Sequence, residues 1–326
     1  MGSPLYANLL DHVASDVAGG GPSWQILRGH EDDPDGSALA LRLMGAVNRL
    51  VHAGEEATLD RLYRDPGRDE GETWSEFRAV LERNQGRLRD LVERPVQTNE
   101  VGRCAALLPG FLAVAEATGM PLRLLEVGAS AGLNLHWDRY RYLSKRVRWG
   151  PPGSPLGICF EIEGNIDFPE IDRVAIAERR GCDAAPIDPT TAQGKIDLLA
   201  YVWPDQAGRV ERLCAALAVA SAHEIEIEKA SAAAWVECIL REPVAGSATV
   251  LFHSIVAQYL SEEELAAFHC RINEAGERAT AGAPLAWLRM EPAGERAEVR
   301  LTSWPGGEDR LLARAGYHGT PVELLR

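Results

Sequence analysis

"LLEVGASAGLN", residues 124–134, joins a short apolar run to a glycine-rich loop, and two interpretations fit it. The segment Gly128-Ala129-Ser130-Ala131-Gly132 has the G-x-S-x-G spacing of a serine-hydrolase nucleophile elbow, in which the serine sits on a sharp strand-to-helix turn. The alternative is a nucleotide-binding turn. Glu126 would close the strand, and the glycines would let backbone N–H groups approach a ligand at the start of a helix.

The segments on the two sides of this loop differ in periodicity. Residues 1–120 carry apolar residues at helical spacing and predict an all-helical N-terminal region of three long helices. One of these helices is expected to open with the capping box Thr73-x-x-Glu76. We expect this region to be a lid, a substrate domain or a dimer interface.

Residues 121–326 alternate strand-like and helix-like segments, which is typical of a mostly parallel sheet covered on both faces. "GLNLHWDRYRYL" predicts a helix after the loop. Residues 145–172 predict an irregular insertion with a hairpin at "ICFEIEG". "AEVRLTSWP" and "RLLARAGYHGTPVEL" predict a C-terminal β-hairpin. Ligands of such sheets bind at the carboxyl ends of the strands, near the switch in strand order.

The composition limits the partners. With 34 Lys and Arg against 48 Asp and Glu, the net charge is −14, which disfavours nucleic acid and anionic membranes. The six cysteines form no C-x-x-C pair, so we expect free thiols, no metal site and a cytoplasmic location. No apolar run reaches the length of a membrane span. A small-molecule substrate and a homodimer are the expected partners.

A serine hydrolase needs a histidine and an acid after Ser130, and Asp309 and His318 lie in that order. Two features disfavour this interpretation. The segments before residue 121 are helical, although a nucleophile elbow normally follows several strands, and no HGGG-type oxyanion segment is present.

Glu126-x-Gly128-x-x-x-Gly132 resembles the first motif of class I S-adenosylmethionine-dependent methyltransferases, and the order of elements from 121 to 326 resembles their Rossmann-like fold. "EVGASAGLNLHWDRYRY", "GCDAAPIDPT", "YVWPDQAGRVERLCAAL" and "VLFHSIVAQYL" are more closely similar to an uncharacterised bacterial family, a domain of unknown function. That second resemblance covers most of the chain and implies no activity.

The methyltransferase resemblance implies S-adenosylmethionine as the cofactor and assigns residues to it. Asp183 would accept hydrogen bonds from the ribose hydroxyls, with an Asx-type turn as its structural alternative. Ser231, or failing that Glu228, would read adenine. The implied cofactor-binding residues are Glu126, Gly128, Ala129, Ser130, Gly132, Asn134, Asp183, Ser231, His253 and Ser254.

The resemblance also suggests catalytic residues. His253 would be a general base, since its usual pKa is near neutral, or a histidine hydrogen-bonded at a strand end. Tyr259 would gate the pocket or pack in the core. His136, one turn into the helix after the glycine loop, is expected to face the site, as is Asn134.

Methyl transfer to a small molecule is therefore the leading hypothesis. Divergent or non-catalytic binding of a nucleotide-like ligand is the alternative, and a serine hydrolase using the GASAG segment is third.

Overall fold

The computed structural model describes residues 2–34, 37–164, 173–223 and 225–325. Internal contacts divide the chain into two compact units. The first comprises Met1–Thr98 and Thr191–Glu211, and the second comprises Asn99–Thr190 and Arg212–Arg326. This division differs from a boundary near residue 120, because residues 99–120 pack within the second unit and residues 191–211 return to the first.

The described secondary structure of the first unit is helical, as its apolar periodicity predicts. Its core includes the fully buried Leu9, Val47, Leu50, Phe77 and Leu88. The helices are α1 (Pro4–Ala18), α2 (Pro22–Leu27), α3 (Leu39–His52), α4 (Ala57–Arg64), α5 (Glu70–Arg83), α6 (Gln85–Val92) and, after a helix of the second unit, α8 (Ala192–Leu199).

Helix starts in the first unit differ from the predicted ones. The proposed capping box at Thr73 is wrong: α5 begins three residues earlier, and its N-cap Asp69 accepts from the N–H of Glu72 at 2.7 Å. The long helix expected beyond Thr73 divides at Asn84, whose amide side chain donates to the carbonyl of Val80 and ends α5. Local hydrogen-bonding side chains therefore override the apolar periodicity here.

The second unit is built on a nine-stranded sheet with the order β5-β12-β11-β10-β9-β8-β1-β6-β7. Its strands are β1 (Leu122–Val127), β5 (Ile162–Glu163), β6 (Ile176–Asp183), β7 (Ile227–Lys229), β8 (Ala248–Ser254), β9 (Leu285–Ala293), β10 (Arg296–Trp304), β11 (Glu308–Ala315) and β12 (Val322–Leu324). A small sheet contains β2 (Arg141–Leu143), β3 (Arg148–Trp149) and β4 (Gly157–Cys159).

The large sheet is mostly parallel, and the chain is a mixed α/β protein. From β1 the chain goes outward to β6 and β7, then returns to β8 and β9 on the other side of β1. The strand order therefore switches at β1, the usual position of a ligand site in such sheets. The C-terminal hairpin is confirmed as β10 and β11, which pair antiparallel beside β9.

Helices cover both faces of this sheet. On one face, α7 (Arg103–Thr118) places Phe111 against Trp137 and Phe252, at ring distances of 4.4 and 5.0 Å. Gly110 of α7 allows close approach, because a Cβ there would lie 2.3 Å from Leu288. The remaining helices are α9 (Ala207–Ala222), α10 (Ala232–Ile239) and α11 (Glu262–Arg278); α10 and α11 share a core with Leu125, Leu251 and Trp287 on the other face.

Two expectations for the segment after the glycine loop are wrong. Leu133–Arg139 is a 3₁₀ helix that gives way to β2, because Tyr140 and Tyr142 are fully buried and their hydroxyls donate to the carbonyls of Leu133 and Trp137. "ICFEIEG" forms no hairpin, since β4 pairs with β2 and β5 pairs with β12. Residues 165–172 of the predicted insertion lie outside the described residues.

The described helices include none that is both long and apolar enough to span a membrane.

Candidate ligand-binding site

The glycine loop has three residues in the left-handed region, with φ of +67° at Gly128, +53° at Ser130 and +71° at Gly132. A Cβ at Gly128 would lie 2.5 Å from Val256 Cγ2, and one at Gly132 would lie 2.8 Å from Ile227 Cδ1. The space that these glycines leave open is therefore occupied by the protein's own side chains.

The backbone amides of the loop are bonded within the protein. The N–H of Ala129 donates to Cys182 O at 3.0 Å, and the N–H of Ser130 donates to Asp183 Oδ2 at 2.8 Å. The N–H groups of Ala131 and Leu133 both donate to Asn99 Oδ1, at 3.3 and 3.0 Å. The N–H of Gly132 donates to Ala129 O at 2.7 Å. The side chain of Asn99, which lies 32 residues before Ala131 in the sequence, thus caps the loop. No local sequence pattern predicts this contact, because the two segments are far apart along the chain. The N–H groups of these five residues are therefore not available to donate to an anionic ligand.

Asp183 lies at the end of β6 and touches the glycine loop. Its Oδ2 accepts from the N–H of Ser130 and its Oδ1 accepts from the N–H of Ala185, both at 2.8 Å. The second bond is the Asx-type turn that the sequence offered as an alternative. The contact with the glycine loop and the Asx-type turn are therefore both present at Asp183.

Glu126 is a buried acid at the end of β1, 2% exposed. Its Oε1 accepts from Asn134 Nδ2 at 3.2 Å, whereas its Oε2 has no hydrogen-bond partner among the described residues. Burial raises the pKa of Glu126 well above its usual value; Asn134 opposes that change and the charge of Asp183 adds to it. A buried, unbonded carboxylate oxygen is costly unless a proton or a ligand satisfies it.

His253, at the carboxyl end of β8, is engaged at both ring nitrogens. Its Nδ1 lies 2.7 Å from Glu291 Oε1, and Trp287 Nε1 donates to its Nε2 at 3.1 Å. Glu291 also accepts from the N–H groups of Val256 and Ala257. The structure therefore places His253 in a closed hydrogen-bond network, as in the strand-end alternative, with no free lone pair for a substrate proton.

The other predicted residues lie apart from this network. Ser254 is buried, and its carbonyl accepts from Arg103 Nη1 at 3.0 Å. Tyr259 is 56% exposed. Ser231 is the exposed N-cap of α10, although its hydroxyl makes no cap bond and Glu264 accepts from the first helical N–H instead. Glu228 pairs with Arg180 at 2.5 Å.

The structure does not bring the three hydrolase candidates together. Ser130 Oγ is buried and has no hydrogen-bond partner among the described residues. Asp309 accepts from Arg289, Arg300 and Thr302.

His318 Nδ1 lies 3.6 Å from a carboxylate oxygen of Glu100. No described contact therefore orients His318 as a base for Ser130.

Two neighbouring cavities lie on the β6–β7 side of the sheet, with volumes of about 780 and 540 Å³. They share His136, Ile225 and Glu226 as lining residues, and the smaller one reaches Ala131 of the glycine loop. His136, which the sequence placed near the site, is thus the candidate that faces open space.

The polar side chains of this site suit an adenosyl ligand, but the space over the glycine loop is already filled. Asp183 can accept from ribose hydroxyls, and Glu126 Oε2 can accept from an ammonium group. The loop amides are already bonded, and Val256 fills the position over Gly128. Binding over Gly128 therefore requires the Val256 side chain to move.

Among the residues described, no group of three His, Cys, Asp or Glu side chains could hold a metal ion.

Fold and site together define a mixed α/β protein with a candidate ligand site at the switch point of a mostly parallel sheet. No curated protein and no solved structure matches the chain. A family model matches residues 1–324, and the chain belongs to that family, DUF2332, described as an uncharacterized protein conserved in bacteria.

Proposed function

We propose that the second unit binds a nucleotide-like ligand, an adenosyl compound, at the carboxyl ends of β1 and β6. The observation that carries the proposal is the arrangement at the switch point. Asp183 reaches the glycine loop from the neighbouring strand, and Glu126 beneath the loop keeps one buried oxygen that has no partner among the described residues. The resemblance to the methyltransferase motif supports the adenosyl group as the ligand class.

Methyl transfer from S-adenosylmethionine to a small molecule is the second candidate. The unbonded Oε2 of Glu126 favours it, because an ammonium group, which a methionine portion has and adenosine lacks, would satisfy this oxygen. Since both nitrogens of His253 are engaged, the protein would contribute positioning of the acceptor rather than a histidine base.

Thermal unfolding in the presence of S-adenosylmethionine, S-adenosylhomocysteine and adenosine tests the binding proposal. A ligand at about 100 times its Kd adds about 2.7 kcal/mol to the free energy of unfolding, so the melting temperature should rise. We expect the two methionine-bearing compounds to give larger rises than adenosine. No rise with any of the three compounds contradicts the proposal.

Asp183→Asn is the informative variant, and Asp65→Asn is its matched control. Asp65 also closes an Asx turn, with its Oδ1 accepting from the N–H of Gly67 at 2.8 Å, but it belongs to the first unit and lines neither cavity. We expect Asp183→Asn to lose the ligand-induced rise and Asp65→Asn to keep it. Equal rises in both variants would place the ligand elsewhere.

A further inference from the structure

His136 is a buried side chain with an unsatisfied polar atom. The residue is 2% exposed, and its Nδ1 has no hydrogen-bond partner among the described residues. It lines both cavities on the β6–β7 side of the sheet. Buried polar atoms without a partner are rare in native proteins, and a bound ligand is one way to satisfy them.

Arg139, one turn further along the 3₁₀ helix, lines the larger cavity and has a second unsatisfied group. Its Nε–H is buried and has no acceptor among the described residues, while its Nη1 donates to His223 Nε2 at 3.0 Å. No described carboxylate forms an ion pair with Arg139. His136 and Arg139 therefore both line the larger cavity, and each keeps one buried polar atom with no partner among the described residues.

The other arginines at this cavity are already paired. Arg179 makes two bonds to the carboxylate of Asp138, at 2.7 and 2.8 Å, and Arg180 pairs with Glu228. Arg139 is therefore the described arginine of this cavity whose guanidinium remains without a carboxylate.

Two of the acidic residues at the cavity are also paired. Glu178 bonds to Arg123 at 2.5 Å, and Glu228 bonds to Arg180. Glu226 is exposed, where water screens its charge. Arg139 is thus the lining arginine whose charge no described carboxylate offsets by direct contact.

The charges nearest His136 are positive. Burial, followed by the charges of Arg179, Arg139 and His223 in that order, lowers the pKa of His136 to about 3. The ring is therefore neutral at physiological pH, and these positive charges add to the cost that burial places on protonating it.

We propose that this cavity binds a small molecule through an anionic group, a carboxylate or a phosphate, that accepts hydrogen bonds from the guanidinium of Arg139 and the ring of His136. The guanidinium fork matches the oxygen spacing of both anions. Ile176, Ala177 and Ile225 offer apolar surface to the rest of the ligand. This site uses none of the side chains proposed to hold the adenosyl compound, so it stands independently of that proposal.

Titration with phosphate and with malonate, each at constant ionic strength against a chloride reference, tests the site and separates the two anions. The readout is the melting temperature, together with the ¹⁵N chemical shift of the His136 ring. We expect at least one of the two anions to raise the melting temperature and to shift the ring resonance. The absence of both effects with both anions overturns the proposal.

Arg139→Gln and His136→Gln test the two donors, and Arg148→Gln is the matched control. Arg148 is an exposed arginine nine residues along the same segment and does not line either cavity. We expect anion affinity to fall about tenfold or more in Arg139→Gln, as for a lost charge-assisted hydrogen bond, and to stay unchanged in Arg148→Gln.

Equal responses in these variants would show general anion effects and overturn the site. Should His136→Gln fail to fold, Arg139→Gln still decides the outcome. S-adenosylhomocysteine binding should persist in Arg139→Gln, so a failure of this proposal and a failure of the adenosyl proposal give different results.

Discussion

Glu126 lies beneath the glycine loop with Asn134 bonded to one carboxylate oxygen and no described partner on the other. Asn134 in turn accepts from Cys104 Sγ at 3.3 Å, and burial raises the pKa of this thiol. At the residue scale, this network of buried polar side chains links α7, β1 and the 3₁₀ helix. The network lies at the position where the sequence predicted a bound ligand.

Glu126→Gln should raise stability at alkaline pH. Because the pKa of Glu126 is raised in the folded protein, the folded state binds its proton more tightly than the unfolded state does. The stabilising contribution is full below the usual pKa of 4.5 and is lost as pH rises toward the folded value. We expect Glu126→Gln to gain on the order of 1–3 kcal/mol at pH 8 and little at pH 4.

Urea unfolding at the two pH values measures this difference. The same variant should lose the larger melting-temperature rise that methionine-bearing compounds give over adenosine. A variant that is less stable than the wild type at pH 8 would contradict the account of Glu126 as a poorly satisfied buried acid.

Val256→Ala separates stability from binding. The side chain fills the space over Gly128, so its truncation should cost about 1–3 kcal/mol of unfolding free energy. Because the same truncation opens that space, we expect tighter binding of S-adenosylhomocysteine by calorimetry. Weaker binding in this variant would argue against a ligand over Gly128.

The sequence predicted the positions of Glu126 and Asp183 because each lies at the end of a strand-like segment. It did not predict that Asn99 caps the loop or that Trp287 occupies His253 Nε2. Such partners come from distant segments, and their side chains leave no local periodicity. The sequence could not predict that His136 Nδ1 lacks a described hydrogen-bond partner either, because this depends on how the side chains around it pack in the folded protein.

At the scale of elements, the strands of the parallel region were predictable from apolar runs that end in glycine or polar residues. The 3₁₀ helix after the loop was not, because its apolar residues also fit an α-helix. Asn99 instead bonds the N–H groups of Ala131 and Leu133, which stabilises a tighter turn. Ser261 is a local N-cap of α11, since its Oγ accepts from the N–H of Glu264 at 3.1 Å, whereas the Glu264 carboxylate accepts from the N–H of Ala232.

Asn99→Ala should destabilise the second unit, because two loop amides lose their acceptor at once. We expect a loss of about 1–3 kcal/mol of unfolding free energy. Faster hydrogen exchange at Ala131 and Leu133 would locate the effect. Asn8→Ala, which removes an exposed bond to Glu70, serves as the control and should change stability little. Unchanged exchange at the two loop amides would contradict the capping role.

At the scale of the whole molecule, the chain builds its first unit from two separate segments. Asn48 Nδ2 donates to the carbonyls of Ala200 and Val202, and Asp205 Oδ2 accepts from Ser3 Oγ at the start of α1. Asp205 lies just before α9, but its carboxylate instead accepts from Ser3, the N-cap of α1, and from the N–H of Leu5. A local pattern could not show this contact.

Asp205→Ala should therefore loosen α1 rather than α9. The N–H of Leu5 and the hydroxyl of Ser3 lose their acceptor, at a cost of about 0.5–2 kcal/mol typical of a lost N-cap. Hydrogen exchange should rise in the first turn of α1. Asp11→Ala, an exposed change in the same helix, should not raise it. Faster exchange confined to residues 207–211 would contradict this role of Asp205.

The binding claim has one direct measurement: the amide resonances of the second unit during titration with S-adenosylhomocysteine. A ligand at the carboxyl ends of β1 and β6 should shift the amides of Gly128, Ser130 and Ala185 in a saturable way, and Asp183→Asn should abolish those shifts. Saturable shifts confined to other parts of the chain, or none at millimolar ligand, would contradict the account.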